Sequence, residues 1–235
     1  MQFDINLNKK SLITFVGAGG KTSTIIALAQ ELKKMKKKVL ITTTTYMYSS
    51  ITKLGDYSFL KKIGDISLDK PSITVLGERV EGEKIKGLSP TVINRIYKEN
   101  LFDFILVEGD GSKGRPIKGP KSFEPVIPME TEKTIGIIGI DCLGKSISED
   151  YVHRPEIFTK LTNKNLGDTI DINSVVKLVL NENGIFKDSK GENILFLNKI
   201  ENNEDITLGR DIGQKLESEG FYKVIFGSIK AKKFY

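Results

Sequence analysis

Residues 12–24, LITFVGAGGKTST, constrain the fold of this chain more than any other part of its sequence. An apolar run predicts a buried strand, and three glycines, a lysine and hydroxyl residues follow before a helix-forming stretch begins. This order is typical of a phosphate-binding loop, in which backbone N–H groups and the positive end of a helix dipole surround an anion. A glycine-rich turn without a ligand is the alternative, but the lysine–threonine pair at the helix start favours the phosphate loop.

The loop does not follow the pattern GxxxxGK[ST], because Phe15 stands where that pattern has its first glycine. Its segment GAGGKT resembles the compact loop of Mur-type peptide ligases and folate polyglutamate ligases. We expect the N–H groups of residues 17–21 to wrap a phosphate, Lys21 to reach the outer phosphates and the Thr22 hydroxyl to bind Mg²⁺. The predicted nucleotide-binding residues are Gly17, Ala18, Gly19, Gly20, Lys21, Thr22 and Ser23. The predicted ligand is therefore ATP or GTP with Mg²⁺, and the loop leaves the base open.

Length and composition fit one α/β domain over residues 1–235, with 39% hydrophobic and 28% charged residues. No apolar run has the length of a membrane span, and the amino terminus has no signal-peptide profile. The single cysteine, Cys142, excludes an internal disulfide framework and suits a reducing compartment. We therefore expect a cytoplasmic protein with no membrane partner.

The formal net charge of +6 favours polyanionic partners in a general way. The densest basic run, residues 33–38, falls at the expected end of the first helix, where lysines complement the helix dipole. No aromatic residues interleave with it to stack bases. The charge distribution therefore does not favour nucleic-acid binding.

Strand and helix patterns alternate along the chain, which predicts a three-layer P-loop NTPase-like fold with a mainly parallel sheet and helices on both faces. Residues 77–88 predict a small hairpin, and residues 109–132 a long functional loop rich in proline and glycine. The predicted strands span 11–16, 38–43, 72–77, 103–108, 134–140, 193–198 and 222–227. The predicted helices span 22–35, 90–99, 155–164, 173–182 and 206–218.

Two acidic residues close the apolar strand that ends at residue 108. Glu108 and Asp110 are separated by one glycine, and an acidic residue at such a strand end resembles the Walker B element that serves Mg²⁺. We expect both carboxylates to have catalytic and metal-binding roles. For Asp110 alone, a local Asx turn is the alternative.

Four threonines, residues 42–45, follow the second predicted strand. They read either as a plain β-branched extension of the strand or as a source of one hydroxyl for the metal or the terminal phosphate. We take Thr44 as the candidate metal ligand.

A basic loop, residues 112–118, follows the acidic pair directly. Lys113, Arg115 and Lys118 fit either a solvated loop or an anionic second substrate, and Arg115 also fits charge stabilisation in the transition state. The only histidine, His153, fits a local role before a helix or a substrate contact. One histidine without a cysteine cluster excludes a multi-histidine metal site.

Residues 198–201, NKIE, are similar to the NKxD element by which GTPases read guanine. Glu201 stands in place of the aspartate and carries its carboxylate one methylene farther from the backbone. We therefore expect no strict preference for GTP.

Several segments together resemble a known family, the accessory proteins of selenium-dependent molybdenum hydroxylases (YqeC type). The family pattern comprises GAGGKT after a strand, TTTT after the second strand, the segment VExDG[SA][KR]GRP[LI]KxP, EPVIP and a late HRPE. In this chain these segments lie at residues 16–22, 42–45, 107–120, 124–128 and 153–156. The resemblance runs from the first predicted strand to the last.

The resemblance implies an NTP-binding accessory protein in the biosynthesis of a selenium-containing cofactor. It implies NTP hydrolysis or phosphoryl transfer coupled to handling a selenium species or a molybdopterin-type cofactor, with a molybdenum hydroxylase as partner. Two alternatives remain open: a nucleotide-dependent switch or chaperone that binds the hydroxylase, and a Mur-like ATP-dependent ligase. Mur-like ligases carry further domains for the acceptor, for which 235 residues leave no room.

Overall fold

A computed structural model describes residues 3–62 and 70–235 of the protein. The strands are β1 (Ser11–Gly17), β2 (Val39–Thr43), β3 (Tyr46–Tyr48), β4 (Tyr57–Leu60), β5 (Ile73–Gly77), β6 (Arg79–Glu81), β7 (Lys84–Lys86), β8 (Phe104–Glu108), β9 (Ile117–Lys118), β10 (Lys133–Gly139), β11 (Val152–His153), β12 (Glu192–Asn198), β13 (Val224–Ser228) and β14 (Lys233–Phe234). The α-helices are α1 (Lys21–Lys34), α2 (Pro90–Lys98), α3 (Pro155–Thr162), α4 (Ile172–Leu180) and α5 (Asn203–Ser218). Two 3₁₀ helices span Ser49–Leu54 and Ile140–Cys142.

The main sheet has nine strands in the order β14-β13-β12-β10-β1-β8-β2-β5-β4. Every pair is parallel except β13 with β14 at one edge. β1 lies in the middle, with β8 and β2 on one side and β10 and β12 on the other. The carboxyl ends of these strands therefore meet at one edge of the sheet, where ligands bind in folds of this kind.

Helices cover both faces of the sheet, and successive residues of β1 show how. Ile13 and Phe15 pack in a core cluster with residues of α1, whereas Leu12 and Val16 point to the opposite face. On that opposite face, Leu12 packs with residues of α2, and Val16 packs with residues of α3, α4 and α5. The predicted three-layer α/β fold with a mainly parallel sheet is confirmed.

The predicted strands and helices lie within a few residues of the observed ones, because buried parallel strands read as continuous apolar runs. The short strands β3, β4, β9, β11 and β14 were not predicted, since two to four residues give no usable periodicity. In the part of the chain that the structure describes, no helix is long and apolar enough to cross a membrane.

A second, three-stranded antiparallel sheet stands beside the carboxyl end of β2, in the order β3-β7-β6. Its hairpin, β6–β7, lies within residues 77–88. The chain after the hairpin returns so close to β2 that a Cβ at Gly87 would lie 2.1 Å from the carbonyl oxygen of Thr43. Glycine at this position therefore fixes the small sheet against the edge where the strand ends meet.

Candidate functional site

The glycine loop joins β1 to α1 at this edge and presents unpaired backbone N–H groups. Within the described residues, the N–H groups of Gly20, Lys21, Thr22 and Ser23 have no hydrogen-bond acceptor, and no side chain caps α1. By contrast, Asn202 caps α5 by accepting from the Asp205 N–H at 2.9 Å. The start of α1 is therefore a cluster of free donors at the positive end of a helix dipole.

The first three residues of the loop use their N–H groups within the protein. Gly17 donates to Asp110 at 3.0 Å, Ala18 to the carbonyl of Ile137 at 2.8 Å and Gly19 to the carbonyl of Arg115 at 3.0 Å. These bonds hold the shape of the loop. The N–H groups that remain without an acceptor among the described residues are thus those of residues 20–23, whereas the sequence predicted that residues 17–21 wrap a phosphate.

Lys21 is buried and folded back over its own loop. Its Nζ donates to the carbonyl of Gly17 at 2.5 Å and lies 3.2 Å from Oδ1 of Asp110. The ammonium group therefore lies between the glycine loop and the end of β8, and these two contacts hold its positive charge in place.

Glu108 and Thr22 meet on the same side of the loop. The Thr22 hydroxyl donates to Oε2 of Glu108 at 2.9 Å, and Glu108 is 6% exposed. Burial raises the pKa of the Glu108 carboxyl above its ordinary value, against the opposing effects of the Lys21 charge and the Thr22 hydrogen bond. The Thr22 hydroxyl oxygen and the Glu108 carboxylate oxygen therefore lie next to each other beside the free N–H groups. Oxygen atoms of this kind are the ligands that Mg²⁺ prefers.

The threonine run, residues 42–45, begins within β2, and the hydroxyls of Thr43 and Thr44 bond to backbone carbonyls. The hydroxyl of Thr43 donates to the carbonyl of Glu108 at 2.8 Å, and that of Thr44 to the carbonyl of Val126 at 2.7 Å. Thr44 does not line the cleft described below, so the geometry does not support it as a metal ligand. Thr45 is the member of the run that lines the cleft described below.

Asp110 starts a chain of buried ion pairs that the sequence did not reveal. Lys118 lies 2.9 Å from Asp110 and 2.7 Å from Glu124, and Glu124 accepts two hydrogen bonds from Arg154, at 2.6 and 3.0 Å. Burial opposes ionisation of Glu124, but the bonds from Arg154 and Lys118 outweigh it and lower its pKa to about 2. These buried ion pairs connect side chains of alternating charge, in the order Lys21, Asp110, Lys118, Glu124 and Arg154.

These buried ion pairs bear on the roles predicted for the basic loop, residues 112–118. Lys118 is 2% exposed, is paired with Asp110 and Glu124, and does not line the cleft. Arg115 contributes its carbonyl to the glycine loop, and its half-buried side chain does not line the cleft. Lys113 does line the cleft and is exposed. Of the three predicted cations, Lys113 is thus the one that lines the cleft.

His153 lies on β11, next to Lys118 on β9, and lines the cleft. Burial, together with the charges of Arg154 and Lys118, lowers the pKa of its imidazole to about 4. The ring is therefore neutral at physiological pH and has one donor and one acceptor nitrogen.

Asn198, at the end of β12, fixes the other side of the loop. Its amide nitrogen donates to the carbonyl of Gly19 at 2.9 Å, and its oxygen accepts from the N–H of Ile229 at 3.2 Å. Lys199 pairs with Asp141 at 2.6 Å and lines the cleft, whereas Glu201 is exposed and does not.

A cleft of about 460 Å³ unites these features and is named the central cleft here. It extends from Lys199 past the glycine loop to the three-stranded sheet. The lining residues are Gly19, Gly20, Lys21, Thr22, Ser23, Thr45, Tyr46, Met47, Tyr48, Lys84, Glu108, Gly111, Ser112, Lys113, Gly114, Glu124, His153, Arg154 and Lys199.

The sequence did not predict that the cleft is also lined by Glu124, Arg154, Tyr46, Tyr48 and Lys84. Glu124 and Arg154 belong to the segments EPVIP and HRPE, so their motifs were visible but their pairing was not. Among residues 3–62 and 70–235, no group of three or more His, Cys, Asp or Glu residues could hold a metal ion by itself.

Comparisons with known proteins agree with the motifs. A family model described as YqeC protein matches residues 13–156, more than half of the chain. The chain is also 31% identical, over 234 residues, to a protein of Escherichia coli (strain K12) named "Uncharacterized protein YqeC". That alignment covers 97% of this chain and 91% of the relative. On both grounds, the chain belongs to the YqeC family.

Proposed function

We propose that this protein binds ATP or GTP with Mg²⁺ in the central cleft. The observation that carries the proposal is the group of free N–H donors of residues 20–23, which lines the cleft beside Lys21. Nucleotide phosphates satisfy such donors and complement the helix dipole at the same time. Lys21 then contributes a positive charge from a site that excludes most water.

The residues beside the loop fit a magnesium ion. Mg²⁺ prefers oxygen ligands, keeps several waters and takes few ligands from the protein when phosphates supply the others. Thr22 and Glu108 are the residues that would hold it, which needs no larger cluster of acidic side chains. When bound, the ion neutralises charge on the outer phosphates. Asp110 has a separate role, because it orients Gly17, Lys21 and Lys118.

The reaction class that we propose is NTP hydrolysis or phosphoryl transfer. In either case the acceptor oxygen forms a bond to the terminal phosphorus, and the bridging oxygen leaves on the nucleoside diphosphate. Lys21 and the donors of residues 20–23 are placed to stabilise the charge that this develops. We therefore propose catalytic roles for Lys21, which lies beside these donors, and for Glu108, which would hold the magnesium ion.

We further propose, from the family resemblance, a biological role in maturing a selenium-dependent molybdenum hydroxylase. The protein would couple NTP use to handling a selenium species or a molybdopterin-type cofactor. Incubation with each NTP, Mg²⁺ and selenide, followed by mass analysis of the products, tests for this chemistry. Turnover with small molecules supports an enzyme, whereas nucleotide-dependent binding of a hydroxylase without turnover supports a switch or chaperone.

Amide hydrogen exchange tests the nucleotide proposal at the atoms that carry it. Mg-ATP or Mg-GTP should slow exchange at residues 20–23, because phosphate oxygens accept from these N–H groups. The N–H groups of Asp205 and Ile206 at the start of α5 are the matched control region, since the side-chain oxygen and the carbonyl of Asn202 already accept from them. Adenosine or guanosine with Mg²⁺ should give no protection. Protection of neither region by any nucleotide would refute the proposal.

A further inference from the structure

The wall of the central cleft farthest from Lys199 is aromatic and basic. It is formed by Tyr46 and Tyr48 of β3 and Lys84 of β7, which is the cross-strand partner of Tyr48. The tyrosines are 43% and 57% exposed. Lys84 Nζ lies 5.5 Å from the centre of the Tyr48 ring and has no carboxylate partner within the described residues.

Strand alternation explains why these side chains face outward. Tyr46 and Tyr48 lie two residues apart and share one face of β3, whereas Met47 between them is buried. Ile85 of β7 is also buried and belongs with Met47 to the core cluster beside α1. The two buried side chains anchor the small sheet. Its exposed face is therefore a firm surface and not a free loop.

The orientation of a nucleotide in the cleft determines whether its terminal phosphate or its base lies next to this surface. In phosphoryl-transfer sites the metal bridges the two outermost phosphates, so the metal ligands mark the direction of the terminal phosphate. Glu108 ends β8, on the side of β1 toward β2, and β3 continues from β2. Lys199 lies on the opposite side, after β12. A nucleotide whose metal is held at Glu108 would therefore have its terminal phosphate on the side of Tyr46 and Tyr48, and its base on the side of Lys199.

We propose that Tyr46, Tyr48 and Lys84 form a subsite for a second ligand beside the terminal phosphate, and that this ligand is a planar aromatic anion. The proposal rests on the nucleotide site proposed above. A planar ring stacks on the exposed tyrosine faces, and its negative group meets the ammonium groups of Lys84 and Lys113 at the rim of the cleft. The hydrogen bond of 3.0 Å from the Tyr46 hydroxyl to Glu81 fixes the Tyr46 ring for stacking.

Three small probes separate stacking from charge. 1-Naphthyl phosphate is planar and anionic, cyclohexyl phosphate is anionic but not planar, and 1-naphthalenemethanol is planar but neutral. Each is titrated by calorimetry into the full chain with Mg²⁺ and a non-hydrolysable ATP analogue. We expect 1-naphthyl phosphate to bind about tenfold or more tightly than either of the others, since stacking and a charged hydrogen bond each contribute that much. Equal affinities for the three probes would overturn the proposal.

Variants locate the binding. Tyr48→Leu and Lys84→Gln should each weaken 1-naphthyl phosphate binding about tenfold. The matched controls, Tyr222→Leu and Lys160→Gln, replace exposed residues outside the cleft and should leave it unchanged. If Tyr48→Leu and Tyr222→Leu bind the probe alike, the subsite does not exist.

Titration of the same variants with Mg-ATP distinguishes this proposal from the nucleotide site. If Tyr48→Leu loses affinity for Mg-ATP as Lys21→Ala does, or if 1-naphthyl phosphate competes with Mg-ATP, the tyrosines belong to the nucleotide site and the proposal fails. If the wild type binds no nucleotide but binds 1-naphthyl phosphate through Tyr48, the aromatic subsite stands and the proposed function is wrong.

Discussion

Lys21 and Asp110 form a buried ion pair of 3.2 Å that ties the glycine loop to the end of β8. The same carboxylate accepts hydrogen bonds from the N–H of Gly17 and from the ammonium of Lys118, so it contacts the glycine loop at both Gly17 and Lys21. Asp110 therefore positions Lys21, the lysine for which we propose contact with the phosphates. Asp110, which the sequence predicts as a metal ligand, is thus bonded to Gly17, Lys21 and Lys118 in the structure.

The first prediction concerns the buried ion pairs of Lys118 with Asp110 and Glu124. Lys118→Met should lower the free energy of unfolding by about 3 to 5 kcal/mol, because it leaves the carboxylates of Asp110 and Glu124 buried without their shared cation. Urea denaturation measures the change. Lys113→Met replaces an exposed lysine nearby and should alter stability by less than about 0.5 kcal/mol. Equal urea midpoints for the two variants would show that these ion pairs do not stabilise the fold.

The second prediction is a pH dependence from Glu124. Its pKa falls from 4.5 to about 2 on folding, so its contribution to stability is complete above pH 4.5 and is lost as the pH falls toward 2. The stability difference between wild type and Glu124→Gln should therefore shrink over that interval. Urea midpoints of both proteins across the interval check the slope. A difference that stays constant with pH would contradict the ionised state assigned to Glu124.

The third prediction concerns the carboxylate of Glu108 at the end of β8. Glu108→Gln should still fold but lose about tenfold or more of the Mg²⁺-dependent part of nucleotide affinity. Titrations with and without Mg²⁺ measure that part. Glu156→Gln, at an exposed position outside the cleft, is the control and should retain it. An unchanged Mg²⁺ dependence in Glu108→Gln would remove this residue from the metal site.

The fourth prediction concerns the base. Glu201 is exposed and does not line the central cleft, so Glu201→Ala should leave the ratio of ATP to GTP affinity unchanged. ATP should compete at least as well as GTP. Competition titrations with both nucleotides provide the test. A strong GTP preference that Glu201→Ala abolishes would assign guanine reading to this residue.

The sequence predicted the layered fold because its long strands, such as β1 and β8, are buried on both faces and read as unbroken apolar runs. It predicted the glycine loop because glycines, lysine and threonine are adjacent in the chain. It could not predict the pairing of Lys118 with Glu124 and of Glu124 with Arg154, since these contacts join three separate segments. The sequence likewise carried no sign of the aromatic wall, because three-residue strands such as β3 give no periodicity.

Calorimetric titration of Mg-ATP into wild type, Lys21→Ala and the exposed control Lys160→Ala tests the central claim most directly. In Lys21→Ala, Asp110 keeps its bonds to Gly17 and Lys118, so the variant should fold while the phosphates lose their buried cation. We predict one bound nucleotide per wild-type chain, and affinity about 10- to 100-fold weaker in Lys21→Ala, as for the loss of a charged hydrogen bond. Lys160→Ala should match the wild type. Equal affinity in Lys21→Ala and the wild type, or no binding to either, would contradict a nucleotide site at the glycine loop.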